Sequence, residues 1–141
     1  MFNPTRDQAR QFLIDAWHKR RDKLPATPLE TIAADIVELH AEYQSLLSSG
    51  NNALEKEWTP EQGDTNPFLH LSLHLAIAEQ LSIDQPPGIR AAYEGMLARH
   101  GDPHHALHCI LDCLSETIWR AQRDRTTPDG EAYLECIRRA V

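Results

Sequence analysis

Two pairs of histidines recur at helical spacing, His70 with His74 and His104 with His108. Residues four apart share one face of a helix, so each pair can present two imidazoles to one ion. A pair from each of two helices would supply four nitrogens at about 2.0–2.1 Å to a zinc-like divalent transition metal. Asp112 and Glu116 continue the second pair by one and two further turns. A carboxylate there can ligate directly or accept from an imidazole N–H and fix its tautomer. The candidate metal ligands are therefore His70, His74, His104, His108 and Asp112.

The competing use is structural, and it is the leading one. Buried histidines commonly bond to carboxylates or backbone carbonyls and specify packing. The chain has neither His-Glu-x-x-His nor Glu-x-x-His, and a bare His-x-x-x-His is a modest signal. A third use is an anion or acid–base pocket built from imidazoles at helix N-termini. His105 faces away from its neighbours, toward solvent, and His18 and His40 have no identifiable partner. Cys109 and Cys113, four apart, could form a metal pair but read better as small structural or half-exposed thiols. No catalytic residue can be assigned: spacing identifies no Ser-His-Asp or Cys-His array, and no glycine-rich phosphate loop is present.

The elements that must position these side chains read as helices. From Asn66 to Gly88 runs the most apolar stretch of the chain. Leu69, Leu71, Leu73, Leu75 and Ile77 alternate as in a strand. Asn66 as N-cap, Pro67 in the first turn, a body of Leu, Ala, His and Gln and more than strand length decide for a helix, to about Ile83. His70, His74, Ile77 and Leu81 then share one inward face. Before it, one helix is expected from about Thr5 to Leu24. A second starts at Pro28 behind the capping box Thr27-Pro28-Leu29-Glu30, with an end either near His40 or beyond Leu46. Residues 50–65 read as an ordered loop anchored by Trp58.

After the Pro86-Pro87-Gly88 break a helix runs to His100 and closes at Gly101. Asp102-Pro103 opens the next, to about Arg123, and Thr127-Pro128 opens a last short one. The short links make consecutive helices antiparallel, which would bring His70, His74, His100, His104 and His108 to one end. The fold class expected is all-α: an irregular helical bundle of five to six helices around a central hydrophobic helix, in one domain over 1–141.

Composition restricts the partners. A net charge of −7 disfavours nonspecific nucleic-acid binding, which needs clustered Lys and Arg. The basic runs at 18–21 and 120–125 read as solvated helix faces. Three sparse cysteines point to a reducing, cytoplasmic compartment. No apolar run is long enough for a membrane span, and the first residues have no secretion-signal core. The partner classes left are a protein partner or a homodimer, and the long apolar helix is expected to be buried inside the monomer or at a dimer interface.

The run from Asn66 to Arg90 resembles the signature of an uncharacterised bacterial family, domain of unknown function 1841. Residues 1–8, the segment Ala98-Arg99-His100-Gly101-Asp102 and the stretch Trp119-Arg120-Ala121-Gln122 resemble it too. The resemblance implies a small cytosolic protein and carries over no activity, cofactor or catalytic residue. The pattern departs at Ala41, where proline would follow His40, which leaves the end of the second helix open. The function expected is a small structural or protein-interaction helical domain with a buried histidine cluster. The alternative is a metal-binding helical protein, hydrolytic or sensory, that uses the two His-x-x-x-His pairs.

Overall fold

Residues 6–48 and 66–140 are described by a computed structural model. Among them are seven helices and no strand: α1 (Arg6–Arg21), α2 (Pro28–Glu38), α3 (Ala41–Ser48), α4 (Pro67–Ile83), α5 (Ile89–His100), α6 (Pro103–Asp124) and α7 (Gly130–Arg139). The all-α expectation holds, and the count is seven rather than five to six. The extra helix arises because the second expected helix ends at Glu38 and a new one starts at Ala41. The expected loop over 50–65, with Trp58, lies outside the described residues.

Local sequence sets most of the helix ends. Thr27 Oγ1 accepts from Glu30 N at 3.1 Å while Glu30 Oε1 accepts from Thr27 N at 2.9 Å, the reciprocal capping box. Asn66 Oδ1 accepts from the backbone N–H groups of Phe68 and Leu69 at 3.0 and 3.2 Å and so starts α4. Gly101, at φ +71, terminates α5 in the left-handed region that glycine enters without cost, and Asp102 caps α6 through His104 N. The last helix starts later than Thr127-Pro128. Asp129 is its N-cap and accepts from Glu131 N and Ala132 N, so Pro128 precedes the cap instead of filling the first turn.

Two compact units divide the chain at Leu75 and Ala76, inside α4. In the first, α1, α2 and α3 pack on one another in pairs. Leu13, Ile14 and Trp17 meet Ala33, Ile36 and Val37, with Leu47, Phe68 and Leu71 completing the core. Each fully buried Leu or Ile contributes about 1.5–3 kcal/mol. The basic run at 18–21 serves this unit. Lys19 pairs with Glu30 at 2.6 Å, and Arg20 with Asp35 at 2.7 Å and Glu38 at 2.9 Å, so α1 is pinned to α2 rather than facing solvent alone.

In the second unit α5, α6 and α7 pack on one another in pairs. Ile89, Met96, Ile110, Leu134 and Ile137 are all buried, and Tyr133 donates to Gln80 Oε1 at 2.7 Å. The cysteines overturn the expectation of free thiols. Cys113 and Cys136 form a disulfide between α6 and α7, and Cys109 alone is a free thiol. Three cysteines do not reveal their pairing in sequence. No described helix is long and apolar enough to cross a membrane.

Candidate metal centre

The break between α2 and α3 builds the site. Ile36 O accepts from Leu39 N at 3.2 Å in the last turn of α2, and His40 Nδ1 adds a second bond to it at 2.7 Å in a fully buried setting. A contact this short to a carbonyl requires the proton on Nδ1. Nε2 of the same ring is therefore turned away from α2. His40 N donates to Val37 O and His40 O accepts from Tyr43 N, so the backbone at this residue closes one helix and opens the next. Ala41 occupies the first helical position, where proline is equally well tolerated.

On α4, His70 and His74 stand one turn apart as their spacing predicts. His70 Nε2 lies 3.2 Å from His40 Nε2 and 3.2 Å from His74 Nε2. The ring of His40 is 5.0 Å from that of His70 and 4.6 Å from that of His74, both edge-on. His74 is 5% exposed and His40 1%, while His70 is half-buried. Tyr43 stacks on His40 with ring centroids 5.7 Å apart and an interplanar angle of 5°. Burial, and then the charge of Glu42, holds the Tyr43 hydroxyl above its ordinary pKa, so this neighbour is neutral.

A neutral imidazole Nε2 carries either one proton or one lone pair. His70 Nε2 faces two other Nε2 atoms at the same distance, and one proton or one lone pair cannot make two well-directed bonds. A cation among the three nitrogens would engage one lone pair from each. Ligands 2.0–2.1 Å from a tetrahedral ion stand about 3.3 Å apart. The two 3.2 Å separations have that edge length.

Of the expected ligands, His70 and His74 are brought together, and His104 and His108 lie within the second unit. Their rings lie 4.1 Å apart, edge-on, in the first two turns of α6. Asp112 is exposed, and Glu116 forms an ion pair with Arg120 at 2.7 Å. His105 is exposed as expected but is not alone. Its ring meets His100 at 4.8 Å, and its Nε2 lies 3.6 Å from Cys109 Sγ.

His40 is the residue that sequence reasoning passed over. Its signal is position: Ala33, Ile36, Val37 and His40 continue one stripe, so the ring must leave α2 on the buried face.

The family model described as "Domain of unknown function (DUF1841)" matches residues 5–139. The chain belongs to that family. The DUF1841 match includes His40 and both His-x-x-x-His pairs, so the histidines are part of the family domain and not of an appended segment. No curated protein and no solved structure matches the chain.

Proposed function

We propose that this DUF1841 protein binds a divalent transition metal of the zinc type, with His40, His70 and His74 as ligands through Nε2. The observation that carries the reading is the placement of His70 Nε2 at 3.2 Å from both His40 Nε2 and His74 Nε2. The His40 Nδ1 bond to Ile36 O supports it, because a ligating imidazole donates its other N–H to a fixed acceptor that sets tautomer and ring orientation. An all-imidazole set suits zinc and its neighbours in the first transition row better than magnesium or calcium, which take oxygen.

Isothermal titration of untagged protein with zinc tests this. The expectation is one site per chain. His40→Ala and His70→Ala should each weaken it by more than the 10–100-fold typical of an outer-shell partner. Saturable binding that neither substitution weakens would place the metal elsewhere. The same titration on His104→Ala, His108→Ala and Asp112→Ala addresses the wider ligand set expected from spacing.

A structural or protein-interaction role is the second reading. The edge-on packing of the three rings favours it, since aromatic contacts of this kind stabilise a core without an ion. Partners in either reading are a protein or a second copy of the chain. The charge of −7 speaks against nucleic acid. A single cooperative domain and a cytoplasmic location belong to the same proposal. The second must accommodate the Cys113–Cys136 disulfide, and disulfides in reducing compartments are usually transient, catalytic or redox-sensing.

A further inference from the structure

The disulfide of the second unit borders a cavity. Cys136 lines a space of about 410 Å³, together with Glu116, Arg120, Arg123, Asp124 and Asp129. Its partner Cys113 is 4% exposed and does not line that space. The bridge thus has one half-buried cysteine at the cavity and the other buried away from it. The lining carries two guanidinium groups and three carboxylates, so both ends of a zwitterion find an opposite charge. The Arg120–Glu116 and Arg123–Asp124 pairs are about half exposed on each side, and pairs of this kind are weak enough to exchange partners.

We propose that this cavity is a redox site at which a zwitterionic low-molecular-weight thiol, an amino thiol or short cysteine peptide, reduces the bridge by attack at Cys136. The incoming thiolate forms a bond to Cys136 Sγ, the Cys113–Cys136 bond breaks, and Cys113 leaves as a thiolate that takes a proton from solvent. A second thiolate attacks the sulfur of the bound molecule, releases Cys136 and departs as a small-molecule disulfide. Two thiols lose two electrons and two protons, and the two cysteines gain them. The site is independent of the histidine cluster, so either can fail without the other.

The test uses the folded, oxidised chain carrying Cys109→Ser, which removes the free thiol. The protein is mixed with reduced glutathione, quenched with acid at intervals, alkylated and mapped by mass spectrometry. The expected result is a transient glutathione adduct on Cys136 with Cys113 alkylated. Reduction per thiolate should be about tenfold faster than with uncharged 2-mercaptoethanol, and that preference should fall in Arg123→Gln. As a static check, Cys113→Ser should retain a glutathione adduct on Cys136 after treatment with oxidised glutathione, with its helical circular dichroism unchanged. An adduct on Cys113, or a bridge that resists glutathione in the folded protein and yields only in urea, overturns the proposal. Equal rates with the two thiols would overturn the zwitterion assignment.

Discussion

At the scale of single residues, His40 has the most to explain. One ring nitrogen bonds to the end of α2, and the other lies 3.2 Å from His70 Nε2, so truncation should cost in two places. His40→Ala removes that bond, at about 0.5–1.5 kcal/mol because Ile36 O keeps its bond from Leu39 N, and also removes a ligand. A double-mutant cycle on His40→Ala and His74→Ala should show coupling well above the roughly 0.5 kcal/mol that independent sites give. The measurement is chemical denaturation with and without EDTA. Coupling that shrinks with chelator follows from a shared ion; strict additivity in both conditions would mean that the three nitrogens do not act together.

The pairing of His70 with His74 was legible in the sequence because i, i+4 spacing on a helix is rigid geometry. The part played by His40 was not, since it depends on a helix break without proline or glycine to announce it. The disulfide was illegible for a related reason: contacts between elements are not encoded in local spacing.

Among the elements, helix ends carry the strongest sequence signals, and they behaved accordingly at Thr27, Asn66, Gly101 and Asp102. The exception is α7, where Asp129 outcompetes the Thr127-Pro128 signal because its carboxylate reaches two backbone N–H groups. Asp129→Ala should therefore destabilise the second unit by about 1 kcal/mol, whereas Thr127→Ala should change stability little, as read from denaturant midpoints.

Glu30 makes a pH prediction at the other end of the chain. The bond from Lys19, followed by that from the Thr27 backbone, holds its carboxyl below the ordinary carboxylate range. A group depressed in the folded state stabilises above its unfolded pKa and loses that contribution as pH falls through the folded value. Wild type and Glu30→Gln should thus differ in melting temperature at neutral pH and converge in acid. A difference that stays constant down to pH 2 would show that the Lys19–Glu30 pair and its cap do not hold in solution.

For the whole molecule, the two units share the continuous helix α4, and the family match spans both. One cooperative transition is expected on heating, with circular dichroism at 222 nm and a near-ultraviolet probe giving coincident curves. Two separated transitions would instead mean that the units unfold on their own. The disulfide closes a loop of 23 residues in the second unit and should add about 3 kcal/mol to it.

X-ray absorption on zinc-loaded, untagged protein reads directly the shell in which three imidazoles are proposed to hold one metal ion. Zinc held by the three imidazoles should give a four-coordinate edge, at least three imidazole nitrogens at about 2.0–2.1 Å, and loss of imidazole scattering in His70→Ala. A six-coordinate shell of oxygen alone, unchanged in that variant, would contradict it.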